Sequence, residues 1–351
     1  MKILCCFGQG EPEFSSARGI VHGLKMQGHD VLTCGPSYWG RGGDADISLP
    51  DKPFPETYEY EEVLEQVSGR VDLVLQLEPH FFLVGPKPLE IVSAYYFTDP
   101  HRGGVMWYKM AILGKFDHVF VGQKYFLPLF EDLPIRVHSL PVGFDERRFS
   151  PSVIGSQVTQ ISFVGQTGLA NMEYPFEDDC GRYATTTPNL PVPDRYAFGF
   201  PHPGFDYAER GEVLYRLCRD FKVRIYESVW ETPYYMQAIQ KGAIGFNRSL
   251  LNDIGIRCFE TLAAGRILVC DEVPYLDELL VDGKHCATYR TYYRPFFENY
   301  SLEYHKVYHL IKYYLDHDKE REAIAKQGQE HVWANHTWRC RAQELLGIVF
   351  G

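Results

Sequence analysis

Short apolar runs alternate with segments of helical spacing along this chain, and that rhythm constrains its fold more than any other feature. Lys2–Phe7 is an apolar run that stops at Gly8-Gln9-Gly10. Ser15–Gln27 then sets Ile20, Val21 and Leu24 on one helix face, Gly28 ends the helix, and His29–Cys34 reads as the next strand. Leu73–Leu77, Ile91–Phe97, His118–Val121 and Val137–Leu140 are further strands, with helices expected over Val105–Gly114 and Tyr125–Glu131. A strand buried on both faces reads as an unbroken apolar run, and intervening helices make such strands parallel. The pattern predicts an α/β fold.

The rhythm restarts near residue 160. Gln160–Val164, Val223–Glu227, Ala243–Phe246 and Ile267–Cys270 read as strands, and Tyr207–Phe221, Pro233–Lys241 and Ile256–Ala264 as helices. Tyr275–Leu280 and the long stretch from Glu303 to Gln343 also read as helical. At 351 residues the chain exceeds what one hydrophobic core usually organises, so two α/β domains in tandem are expected. We place them at 1–150 and 158–335, joined around Asp145–Gln157, with 336–351 a C-terminal helix packing back on the first domain. Residues 168–206, rich in Pro, Gly, Tyr and Phe and without periodicity, read as an insertion bordering an interdomain cleft.

Composition excludes some partners. Net charge is −11 with a pI near 5.6, and no run of Lys and Arg occurs, which disfavours nucleic acid. An anionic small molecule remains compatible, because a pocket sets its own potential. The nine cysteines are odd in number, lack a Cys-x-x-Cys pair and sit largely in apolar runs, as buried free thiols of a reducing compartment do. MKILCCFGQG lacks the basic flank and long apolar run of a signal peptide, and no segment approaches the roughly 20 apolar residues that span a bilayer. A soluble cytoplasmic protein is expected.

The sharpest chemical signal is Asn247–Gly265, NRSLLNDIGIRCFETLAAG. A strand ends at Asn-Arg-Ser, a turn rich in Asn, Asp and Gly follows, and a helix opens at Gly255-Ile256 with Arg257 in its first turn and Glu260 in its second. A helix N-terminus aims unpaired N–H groups and partial positive charge at whatever lies above it, so a pyrophosphate suits that place. Arg257 adds bidentate donors, and Glu260 can accept from the paired hydroxyls of a ribose. Gly8-Gln9-Gly10 after the first strand is weaker evidence. As a dinucleotide fingerprint it fails, since the third glycine position is Glu13.

RCFETLAAGRILVCDEVPYLDELLVDGKHCATYR resembles the donor-binding half of family 4 glycosyltransferases of the GT-B fold, and is most similar to the CgeB-like branch. FDHVFVGQKYFLPLFEDLPIRVHSLPVGFDERRFSP, ISFVGQTG and the tail YYLDHDKEREAIAKQGQEHVWANHTWRCRAQELL fit the same branch in the same order, over about half the chain. The resemblance implies two Rossmann-like domains facing across a cleft, a nucleoside diphosphate sugar as donor substrate, and no cofactor or metal. It places the ribose on Glu260, the pyrophosphate near Arg257, and Arg210 as the basic residue on the phosphates. Tyr226 and Trp230 would border the nucleobase, and Arg248, Asn252, Asp253, Gly255, Ile256 and Gly165 would line the donor site. Many family 4 enzymes carry two glutamates eight positions apart, the first touching the transferred sugar. Here that position is Asn252, followed by Asp253, whose carboxylate is the expected substitute.

In the first domain, Asp99 and His101 follow a strand at its carboxyl edge, where open α/β sheets bind ligands, and are candidates to take the acceptor's proton. Gly8, Gly10 and Glu11 would line the acceptor side. Asp44-Ala45-Asp46 mimics a metal-binding Asp-x-Asp, but no ligand follows at suitable spacing, so no metal site is expected. Transfer of a sugar with retention is the expected reaction. The alternatives are a sugar-nucleotide epimerase or hydrolase of the same fold, and a catalytically degenerate nucleotide-binding scaffold.

Overall fold

The computed structural model describes residues 1–9, 13–37, 44–52, 57–77, 81–98, 116–130, 134–151, 157–165, 167, 203–227, 234–250, 252–290 and 304–351. The helix expected at 105–114 and most of 168–206 lie outside the described residues. The chain divides into two units, Met1–Gly143 with Thr337–Gly351, and Phe144–His336.

In the first unit, β1 (Lys2–Cys6), α1 (Ser16–Met26), β2 (Asp30–Pro36) and β3 (Ile47–Leu49) are followed by β4 (Thr57–Glu59), α2 (Tyr60–Leu64) and β5 (Leu73–Leu77). Then come β6 (Phe82–Val84), β7 (Val92–Phe97), β8 (His118–Val121) and β9 (Arg136–Ser139). Seven of the strands form one parallel sheet in the order β3-β2-β1-β5-β7-β8-β9, with Ile3 paired to Val31 on one side and Leu73 on the other. The strands β4 and β6 pair separately. Sequence periodicity missed β3, β4, α2 and β6, because elements of three to five residues are too short to display a period. The helix expected at Tyr125–Glu131 is a 3-10 helix, Lys124–Phe130, with Pro128 inside it, where proline removes the N–H an α-helix needs.

The second unit repeats the plan with β10 (Thr159–Val164), α3 (Pro203–Asp220), β11 (Val223–Tyr226), α4 (Tyr235–Gln240) and β12 (Gly242–Asn247). Next are α5 (Ile256–Ala263), β13 (Ile267–Asp271), β14 (Ala287–Tyr289), α6 (Tyr304–Asp316) and α7 (Asp318–Asn335). Its five parallel strands run β11-β10-β12-β13-β14. Ile161, Phe163, Ile244, Phe246 and Val269 of the sheet meet Val213 and Leu217 of α3 and Val307 and Ile311 of α6 in one buried cluster. Over Tyr275–Leu280 only Leu276–Glu278 is helical, as a 3-10 turn, because Tyr275 holds a left-handed φ of 66° that an α-helix cannot include.

The stretch Glu303–Gln343 is broken rather than continuous: His317 separates α6 from α7, and Thr337 caps a new helix, α8 (Trp338–Phe350), by accepting from Cys340 N at 3.2 Å. That last helix belongs to the first unit. It lies against α1 across Gly19 and Gly23, where a Cβ would come 2.2 Å from Trp338 Cδ1 and 2.5 Å from the Trp338 carbonyl oxygen. Two glycines one turn apart thus admit a fully buried tryptophan. Among the described residues, Cys5, Cys6, Cys34, Cys258, Cys270 and Cys286 are buried free thiols, and no helix is long and apolar enough to cross a membrane.

Candidate functional site

β10 sits between β11 and β12, so the strand order of the second unit reverses beside it. Open parallel sheets bind ligands beyond the carboxyl ends of their strands at such a point. From the end of β12 the chain passes Arg248 and Ser249 and makes a tight turn, in which Leu250 N donates to Asp253 Oδ1 at 2.7 Å and Asp253 N to Leu250 O at 3.0 Å. Asn252 holds the turn with a φ of 61°, a left-handed conformation that asparagine tolerates better than glutamate. Asp253 therefore spends one carboxylate oxygen on its own turn. Gly255 then enters α5 in an extended conformation, and no side chain caps the helix start. The positive end of α5 opens where the sheet order reverses.

Arginines surround this edge. Arg257, half-buried on the first turn of α5, donates from Nη1 to Val164 O at 2.8 Å, and its guanidinium carbon lies 5.2 Å from the Phe163 ring centroid. Gly165, with φ of 132°, leaves the space for that guanidinium, since a Cβ there would lie 2.0 Å from Nη1. Arg210 is not at a helix start but midway along α3, 1% exposed, donating through Nε and Nη2 to the Arg248 carbonyl at 2.9 and 2.6 Å. Arg248 forms a buried ion pair with Asp271 at the end of β13, and Asp271 also accepts from Ser249 N at 2.8 Å and Ser249 Oγ at 3.0 Å. Arg210 and Arg248 thereby fix the segment that leads into α5.

Glu260 is 2% exposed, on the second turn of α5. Its Oε2 accepts from the Tyr235 hydroxyl, and its Oε1 lies 3.7 Å from Arg148 Nη1. Burial pushes the Glu260 carboxyl above the usual carboxylate range, opposed by the Arg148 charge, the Tyr235 hydrogen bond and the Arg257 charge. The Arg148 guanidinium carbon rests 4.0 Å from the Tyr235 ring centroid. Arg148 comes from a 3-10 turn, Glu146–Arg148, which Asp145 caps by accepting from Arg147 N at 3.0 Å.

The structure thus brings together Gly165, Arg210, Arg248, Asn252, Asp253, Gly255, Ile256, Arg257 and Glu260 around the start of α5. Tyr226 ends β11 and accepts from Gly165 N at 2.9 Å through its carbonyl. Trp230, Asp99, His101, Gly10 and Glu11 lie outside the described residues. Gly8 follows β1 in the first unit, next to Gln9, whose side chain donates to Gly35 O at 2.5 Å. Asp44 pairs with Arg18 at 2.6 Å, and Asp46 accepts from Thr33 N at 2.8 Å and Thr33 Oγ1 at 2.9 Å, so both carboxylates have local tasks. Sequence reasoning missed Tyr235, Arg148 and Asp271. Asp271, a carboxylate closing the apolar run ILVCD, carried a signal, and Arg148 lies in the VGFDERRFSP element on which the resemblance rests; Tyr235 gave none that separates it from an ordinary core residue.

Residues 208–347 match the family model described as glycosyl transferase-like. No curated protein matches the chain by sequence. Among solved structures, sucrose-phosphate synthase from Thermosynechococcus elongatus superposes with a TM-score of 0.60 at 12% identity, over 99% of this chain and 98% of that one. Anabaena HepE in complex with UDP and glucose gives 0.59 at 12%, over 99% of both chains. WaaG, a glycosyltransferase involved in lipopolysaccharide biosynthesis, gives 0.54 at 13%, over 100% of both. The chain has the GT-B fold, and its residues 208–347 are similar to the glycosyl transferase-like family.

Proposed function

We propose that this protein moves a sugar, of hexose type, from a nucleoside diphosphate sugar to an acceptor, without a metal ion and with retention. The observation that carries the reading is the pairing of Arg257 and Glu260 one turn apart on a helix whose uncapped start opens where the sheet order reverses. The likeness to HepE, whose structure holds UDP and glucose, supports a donor of this class. Placement in the CgeB-like branch and a cytoplasmic location belong to the same proposal.

The chemistry follows from where charge develops. As the glycosidic bond to the donor breaks, negative charge grows on the leaving diphosphate. The α5 N-terminus and Arg257 would stabilise it, an oxyanion donor of this kind lowering the barrier by on the order of 3 kcal/mol. Arg257 uses one guanidinium N–H on Val164 O and keeps the rest of its five donors for phosphate oxygens. Glu260 would hold the ribose. With Asn252 locked in a turn conformation, the sugar contact made elsewhere by a first glutamate would fall to Asn252 and to the free oxygen of Asp253.

Isothermal calorimetry with UDP, GDP, ADP and dTDP tests this. Wild type should bind one of them, Glu260→Ala should weaken that binding severely, and Arg257→Ala should lower turnover more than affinity. Unchanged affinity in the Glu260 variant would refute the assignment. Product analysis by mass spectrometry, with and without acceptor, separates transfer from epimerisation or hydrolysis. EDTA should leave turnover intact; strict metal dependence would overturn the metal-free claim.

A further inference from the structure

We infer that Tyr235 and Arg148 are positioning residues for Glu260, fixing its carboxylate in the orientation from which it takes both hydroxyls of a ribose; the inference rests on the donor reading above. Three separate elements supply the group: Glu260 from α5, Tyr235 from the start of α4, and Arg148 from the turn at Glu146–Arg148. All three side chains are nearly inaccessible to solvent.

Among the described residues the carboxylate is held at both ends but is not saturated. Tyr235 occupies one acceptor site on Oε2, while Arg148 Nη1 stands 3.7 Å from Oε1, beyond hydrogen-bond length. An ionised carboxylate offers about four lone-pair sites, and among the described residues Tyr235 alone donates to one of them. A vicinal diol presents two hydroxyls at fixed separation and needs the carboxylate plane set before it arrives. Arg148 also lies 4.0 Å over the Tyr235 ring, so the cation that faces Oε1 steadies the residue that holds Oε2. Phe149 packs edge-on against the same ring, 6.4 Å between centroids, limiting its tilt.

A purely structural role for Tyr235, filling space beside Phe149, makes different predictions. The hydroxyl donates to the charged form of Glu260, and burial opposes that form. Arg148 and Arg257 act with the hydroxyl, and Asp145 acts against it. Tyr235→Phe keeps the ring and removes only the donation. It should raise the pH at which Glu260 takes up a proton, and it should release the carboxylate plane.

The experiment compares UDP, GDP and ADP with their 2′-deoxy forms, by calorimetry across pH, on wild type, Tyr235→Phe, Arg148→Gln, Glu260→Gln and the Tyr235→Phe/Glu260→Gln pair. Wild type should prefer the ribonucleotide. Tyr235→Phe should weaken ribonucleotide binding about tenfold, shrink the ribose-to-deoxyribose preference, and move the acid limb of binding to higher pH. In the Glu260→Gln background the tyrosine change should add no further loss. Arg148→Gln should shrink the same preference, with melting temperature checking that each variant folds. A ribose preference and pH profile untouched by Tyr235→Phe would overturn this inference and leave the donor reading standing. Binding of dTDP alone would likewise overturn this inference and not the donor reading, and absence of binding by wild type to dTDP and to all three diphosphates would overturn both.

Discussion

Replacing Gly165 with alanine would put a methyl group where the Arg257 guanidinium lies. The new Cβ would stand 2.0 Å from Nη1 and 2.8 Å from Cζ, so the side chain must leave Val164 O and the Phe163 face. Two costs follow, and they are separable. The backbone at φ of 132° resists any residue with a Cβ, lowering the stability of the second unit by about 1–3 kcal/mol. Under the proposed function, displacing Arg257 removes a charge-assisted contact to the diphosphate worth about 1.5 kcal/mol, a loss of roughly tenfold in affinity. Thermal unfolding reads the first and calorimetry with the nucleoside diphosphate reads the second. If Gly165 acts through Arg257, the Gly165→Ala/Arg257→Ala pair should bind no more weakly than Arg257→Ala alone, while still unfolding at lower temperature. Affinity losses that simply add would refute the reasoning.

Two further outcomes are expected. Gly19→Ala should destabilise the first unit by about 1–3 kcal/mol, because its Cβ would meet Trp338 Cδ1 at 2.2 Å and Nε1 at 2.3 Å; tryptophan fluorescence during denaturant unfolding checks it. Acid should weaken the fold through His285, whose pKa is lowered from 6.5 to about 4 by burial first, then by the His331 and Lys284 charges. Its folded pKa lies below the unfolded value, so the stability held by the neutral ring is intact above about pH 6.5 and is lost as pH falls toward 4. A proton on Nδ1 would also evict the Val281 N–H that donates to it at 3.2 Å. His285→Asn should flatten the decline of melting temperature between those limits, and an unchanged decline would exclude this histidine as its source.

Much of the second unit was legible from residue order. The runs at 160–164 and 267–270 match β10 and β13 to within one residue at each end, because strands buried in a parallel sheet are predominantly apolar and are bounded by polar or glycine residues. The start of α5 was legible too, since Asn, Asp and Gly ahead of an amphipathic segment leave few other conformations open. The side-chain partners were not. Arg210 reads as a cation near the front of a helix, yet it is buried on a carbonyl 38 positions away, which no local pattern encodes. The same holds for Arg148 beside Glu260, brought together from positions 112 residues apart (260 − 148).

By itself, then, the sequence determined the parallel α/β plan, the places of the principal strands along the chain and the helix that bears Arg257 and Glu260. Period and punctuation are local properties, and a parallel sheet leaves them little freedom. Only the tertiary structure decided which groups surround that helix, and how firmly Glu260 is held. Burial and distance set the cost of a charge, and both are properties of elements meeting in space rather than of neighbours along the chain.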